Sequence, residues 1–162
     1  MKDFTFYDIY YTAIVTLSDE EAGKFIKRIC AYTVFETEDI PSKDDDANSI
    51  WEIIFPTLEA ATQLERTGKI PYYLNRKMQH FTFQNAYARM LQSQTDNKKA
   101  GKLIKAICEY MFNGTEPKDL PPPIDGFFQL LRKNFDISRT RKEIGKKGGK
   151  ANTKDKYFNE SF

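Results

Sequence analysis

The sequence predicts an all-α protein: two tandem three-helix repeats, a short linker, and a flexible basic C-terminal tail. Three observations carry this expectation. First, the chain repeats itself: residues 22–32 read AGKFIKRICAY and residues 100–110 read AGKLIKAICEY, with eight of eleven positions identical. Second, apolar residues within each copy recur at steps of three and four, the period of a helix with one buried face. Third, aromatic residues make up 14% and hydrophobic residues 40% of the 162 residues, enough to fill a core.

The repeat extends on both sides of its best-matching segment. Phe4-Thr5-Phe6 corresponds to Phe81-Thr82-Phe83, and Ile50-Trp51-Glu52-Ile53-Ile54 to Phe127-Phe128-Gln129-Leu130-Leu131. The offset is 77 at the flanks and 78 in the middle, so one residue is inserted before the second copy's middle helix and one is lost after it. The expected boundaries are 1–69 for the first repeat, 70–80 for the linker, 81–147 for the second repeat and 148–162 for the tail.

The first helix is expected to begin near Tyr7 and to bury Tyr10, Ala13, Ile14 and Leu17. Ser18 then opens a capping box with Glu21, which satisfies free amides at the next helix's start. That helix is expected to run to about Phe35 and to bury Ala22, Phe25, Ile26, Ile29, Cys30 and Thr33. In the second copy Ala100, Leu103, Ile104, Ile107, Cys108 and Met111 form the same stripe, and Gly114 ends the helix as a residue tolerant of positive φ. The third helix of copy one starts at Asp44-Asp45-Asp46, whose charge suits a helix N-terminus. Its expected buried face is Ile50, Ile54, Leu58 and Ala61, with a kink at Pro56. Its counterpart is capped by Asp125 and runs past Phe127, Phe128, Leu131 and Phe135 to about Ile144, before Gly145. The segment GKIPYYLNRKMQH reads as the linker. The tail GKKGGKANTKDKYFNESF is basic, glycine-bearing and poor in apolar residues, so flexibility is expected there.

Composition excludes several function classes. No apolar run approaches the 18 residues a spanning helix needs, so no membrane association is expected. The first residues lack a secretory pattern, and the two cysteines have no metal or redox spacing, which points to a reducing cytoplasm. Cys30 and Cys108 read as small core residues. His80 is the only histidine, so a multi-His metal site is excluded and a His-based triad would rest on one linker residue. The glycines at 145, 148 and 149 fail the phosphate-loop pattern. No catalytic residue, metal site or cofactor is therefore expected.

Charge carries the most information about function. The chain sums to +2, yet residues 1–70 hold 7 basic and 14 acidic side chains, and residues 71–162 hold 18 and 9. The candidate nucleic-acid-binding residues are Lys98, Lys99, Lys102 and Lys105 on the second copy's middle helix. With them stand Arg132, Lys133, Arg139, Arg141 and Lys142 on its third helix, and Lys146, Lys147 and Lys150 in the tail. Cations at such density neutralise phosphates and release counterions, giving salt-sensitive affinity without sequence preference. Candidate partner-binding residues are Asp44, Asp45 and Asp46, and the linker tyrosines Tyr72 and Tyr73. Aromatics can stack on bases, whereas Tyr7, Tyr10 and Tyr11 suit core and inter-repeat contacts. The opposite charges of the two copies also allow contact within a chain or between chains in a homo-oligomer.

Several segments resemble a helical domain of unknown function common in phages and prophages. They are FTFYDIYY, the Leu-Ser-Asp-Glu-Glu helix start, the Phe-Pro in the third helix, EYMFNGTEP at 109–117 and GKKGG at 145–149. Related domains look like the N-terminal parts of some phage replication organisers. The resemblance implies a phage- or prophage-encoded binding protein in the bacterial host cytoplasm, with DNA or a nucleic-acid-binding protein complex as its partner. The alternative is an inhibitor of a host defence complex, of anti-CRISPR type, acting by protein contact. The resemblance supplies no catalytic residues.

Overall fold

The computed structural model describes residues 2–68 and 78–160, with side chains for all of these except 65, 66 and 146–160. It is mostly helical. Strand β1 (Phe4–Tyr7) leads into helices α1 (Asp8–Thr16), α2 (Asp19–Cys30) and α3 (Asp45–Thr67). Strand β2 (His80–Phe83) leads into α4 (Asn85–Ser93), α5 (Asn97–Cys108) and α6 (Ile124–Glu160). Both α2 and α5 continue as one π-helical turn, Ala31–Phe35 and Glu109–Asn113. The chain divides into two compact units, Met1–Phe128 and Gln129–Phe162, the division falling inside α6. No helix among the described residues is long and apolar enough to cross a membrane.

The two strands correct the all-α expectation. Phe-Thr-Phe alternates apolar, polar, apolar, which is the period of a strand, but four residues cannot hold an extended conformation alone. The two copies of this segment supply each other's partner. They pair antiparallel with Phe4 opposite Phe83, Thr5 opposite Thr82, Phe6 opposite Phe81 and Tyr7 opposite His80. Equivalent residues thus cross over about the Thr5–Thr82 pair, as in a two-fold arrangement. His80 consequently belongs to β2 and not to a linker. The phenylalanines stack across the ladder, Phe6 lying 5.1 Å from Phe81 and 5.5 Å from Phe83. Tyr10 and Tyr87 close the cluster edge-on against Phe6 and Phe83.

The same reciprocity governs α2 and α5. Gly23 and Gly101, equivalent in the repeat, face the first residue of the opposite helix. A Cβ on Gly23 would sit 1.9 Å from the Asn97 carbonyl oxygen, and one on Gly101 would sit 1.7 Å from that of Asp19. Two lysines complete the pattern. Lys105 Nζ donates to the Leu17 carbonyl at 2.8 Å and to Asp19 Oδ1 at 3.0 Å. Its equivalent Lys27 donates to the Gln94 carbonyl and, at 2.8 Å, to Asn97 Oδ1. Each lysine therefore caps the C-terminal end of the other half's first helix, where orphan carbonyls and the dipole favour a cation. Burial pulls the Lys27 pKa below its ordinary value, against an opposing attraction from Asp96.

The two sites differ in one respect, since Asp19 carries charge and Asn97 does not. Lys105→Met is expected to cost about 1–2 kcal/mol, because it leaves the Leu17 carbonyl without this donor. Asp19→Asn is expected to cost less than about 0.5 kcal/mol, because it keeps the acceptor and removes only a part-exposed ion pair. Urea unfolding of the two variants, compared with the parent protein, measures both.

Most of the expected helical detail is present. Ser18 Oγ accepts the Glu21 amide at 3.2 Å, and Asp44 Oδ1 accepts that of Ala47 at 2.9 Å. Gly114 ends its helix at φ 70°, and the equivalent Glu36 adopts φ 51° without glycine's freedom. Every residue of the expected α2 and α5 stripes is buried, both cysteines among them as free thiols whose pKa burial pushes up.

Three details differ. On α3 the buried residues are Ala47, Trp51, Ile54, Thr57, Leu58 and Ala60, while Ile50 and Ala61 are half-buried; Trp51 packs edge-on against Phe25. Pro56 lies within that one helix, Asp45–Thr67. Helix α6 begins at Ile124, so Asp125 lies in its first turn and does not cap it. Finally, α6 does not stop at Gly145 but continues to Glu160, through most of the tail expected to be flexible. A glycine inside a helix costs only about 1 kcal/mol relative to alanine. No proline follows to end the helix, and the lysines and alanine around the glycines are good helix formers.

Candidate functional site

The candidate cations occupy two elements. Lys98 and Lys102 are exposed on α5, and Lys99 is half-buried. Lys98 and Lys99 stand in the first turn of that helix, where a positive charge opposes the macrodipole. The equivalent positions in α2 hold Glu20 and Glu21, which favour it. The first turn of α5 thus adds two unfavourably placed cations to a dipole of the same sign, which makes it an electropositive spot. Lys105 is different: its ammonium is engaged by Leu17 and Asp19 inside the fold, so it is left out of the interface.

Helix α6 carries the remaining cations. Because it is continuous, positions 132, 139, 142, 146 and 150 recur at steps of seven, three, four and four and share one face. The stripe spans 18 residues, about 27 Å of helix axis. Arg132 Nε donates to Gln129 Oε1 at 2.8 Å. Lys133 and Arg141 are exposed and lie on another side of the helix. Side chains of Lys146, Lys147 and Lys150 lie outside those described, though their backbone is helical.

The candidate partner residues are placed less uniformly. Asp44 is taken up as the α3 cap, and Asp45 and Asp46 are exposed beside it. Tyr72 and Tyr73 lie outside the described residues. The other tyrosines are structural: Tyr7 and Tyr10 are buried. Tyr11 is stacked on Phe112 at 5.5 Å, and its hydroxyl donates to Glu109. Burial and that carboxylate push the Tyr11 pKa well above its ordinary value.

A cleft of about 450 Å³ was not foreseen. One wall is α2, with Lys24, Phe25 and Arg28; the other is the loop holding Ile40 and Pro41. Arg28 pins that loop. It makes paired bonds to Asp39, Nε at 2.6 Å and Nη2 at 2.8 Å, donates to Asn48 Oδ1 at 3.0 Å, and lies 4.1 Å from the Trp51 ring centre. The signal was present in the repeat: Arg28 is one of three mismatches in the best-matching segment, its equivalent being Ala106. Its lining mixes apolar Phe25, Ile40 and Pro41 with charged Glu21, Lys24 and Glu38, which suits a ligand with both apolar and polar groups.

The Arg28 guanidinium holds the Asp39 carboxyl below the usual carboxylate range. A depressed carboxylate contributes stability above its unfolded pKa and loses it as pH falls through the folded value. Acidification below about pH 4 is therefore expected to release the loop. Asp39→Asn is expected to remove that acid-dependent step, which Trp51 fluorescence followed against pH would report.

Comparison with known proteins adds one finding. The model of a family described as "Family of unknown function (DUF6291)" matches residues 3–67 and again residues 80–157, consistent with two copies of one unit. No curated protein and no solved structure matches the chain.

Proposed function

The chain belongs to the DUF6291 family, and from that premise we propose that it is a non-enzymatic nucleic-acid-binding protein. In this reading α6 contacts DNA through its basic stripe. The protein acts in a phage- or prophage-encoded, replication-associated role, and its acidic half docks a protein partner. The single observation that carries the reading is the unbroken course of α6. It puts positions 132, 139, 142, 146 and 150 on one helix face. A helix bearing such a stripe tracks a phosphate backbone and gains affinity by counterion release.

The test is fluorescence anisotropy with a labelled DNA duplex, titrated at several salt concentrations. Binding that falls linearly on a log–log plot against salt supports the reading; no binding at low salt overturns it. A second reading is an inhibitor of a host defence complex acting by protein contact. The cleft pinned by Arg28 on the acidic half favours it. It predicts no free DNA binding and a nuclease-resistant complex with a host protein in a pull-down.

A further inference from the structure

Helix α6 has a second face. Leu130, Ile137 and Ile144 follow each other at steps of seven and lie about half a turn round the helix from the basic stripe. They are 73%, 42% and 63% exposed, which is unusual for three aligned large apolar side chains. Exposed Lys133 and Arg141 flank Ile137 on the same side, and a shallow recess is lined by all three. The face is thus apolar along its middle and cationic at its borders.

One other described helix has the complementary character. Residues 44–65, which include most of α3, hold six acidic side chains and no basic one. On its outer side Glu52 and Glu59 are exposed, and Ile53, 69% exposed, lies about a quarter turn to one side of them. Glu52 and Glu59 are seven residues apart, about 10.5 Å along the axis; Lys133 and Arg141 are eight apart, about 12 Å. Two charges of each sign therefore match in spacing, with Ile137 between the two cations on α6 and Ile53 beside the two carboxylates on α3. Both faces are exposed.

We propose that the Leu130–Ile137–Ile144 face of α6 docks the outer face of α3 from a second copy of this chain. Lys133 and Arg141 would pair with Glu52 and Glu59, and the α6 isoleucines would be covered by the contact. The two surfaces differ, so the contact is head-to-tail and leaves a free α3 and a free α6 at the ends; such contacts propagate into open chains. The charge separation along the sequence then has a use that requires no other molecule. This inference does not rest on the DNA reading, which uses the opposite face of α6.

Sedimentation equilibrium of the full-length, nuclease-treated protein tests it. The average mass is expected to rise with protein concentration at low salt and to fall toward the single chain at high salt, as surface charge pairs are screened. Lys133→Glu with Arg141→Glu is expected to weaken assembly about tenfold or more, as is Glu52→Lys with Glu59→Lys. The two double variants, mixed, should associate with each other where neither associates with itself, because both cross contacts between them are complementary. A parent protein that stays a single chain throughout would overturn the proposal, as would reversals without effect or a mixture that fails to associate. Circular dichroism of each variant separates lost docking from lost folding. DNA binding measured on the same variants reports the other face independently.

Discussion

Gly101→Ala is expected to cost about 3 kcal/mol or more of folding stability, and Gly23→Ala a similar amount. Propensity alone says the opposite: alanine in place of a mid-helix glycine stabilises by roughly 0.5–1 kcal/mol. The reversal comes from the crossing of α2 and α5. A methyl group at Gly101 would meet the Asp19 carbonyl oxygen at 1.7 Å, and one at Gly23 would meet that of Asn97 at 1.9 Å. Both obstacles are backbone atoms in the first turn of a helix, so no side-chain rotation relieves them. The helices must separate, which loosens the Lys27 and Lys105 caps and the apolar stripes beneath. The measurement is urea unfolding of each variant, with Gly145→Ala as the control, since nothing lies within 4 Å of a Cβ there. If the first two substitutions stabilise as the control should, the close approach is not what holds these halves together.

Replacing Lys142, Lys146 and Lys150 together by Gln is expected to lower the salt slope of DNA binding by about 2.7, at about 0.9 for each phosphate no longer neutralised. Between about 50 and 200 mM salt, those three charges would account for roughly a 40-fold change in affinity. Replacing the same residues by Glu should abolish measurable binding. Lys133→Gln with Arg141→Gln, on the other side of α6, should change the slope much less. This contrast separates a helical stripe from a diffuse basic cloud, in which any three cations would serve equally. Equal losses from both sets would sink the stripe while leaving electrostatic binding intact.

What was legible in the sequence was local. Ser18 and Asp44 cap helices because a side-chain oxygen two or three residues before a free amide suffices. Gly114 takes positive φ for reasons contained in its own backbone. The buried stripes of α2 and α5 follow from the helical period, and the repeat was visible as identity. Lys105 shows the limit: its spacing placed it among outward cations, but its ammonium is held by Leu17 and Asp19, 88 and 86 residues away. The glycines at 23 and 101 were visible within the repeated Ala-Gly-Lys, yet their reason lies in the opposite helix.

The amino-acid order by itself determined two related helical units, one acidic and one basic, because periodicity, capping and charge are properties of short segments. The tertiary structure decided that these units cross over each other. The strands exist only as a pair 77 residues apart, and each lysine cap needs the other half's helix end. The course of α6 beyond Gly145 belongs to neither extreme. It rests on a small difference between glycine's entropic cost and the helix-forming residues around it, too fine a balance for pattern to resolve. That continuation brings positions 146 and 150 onto the helix face of positions 132, 139 and 142.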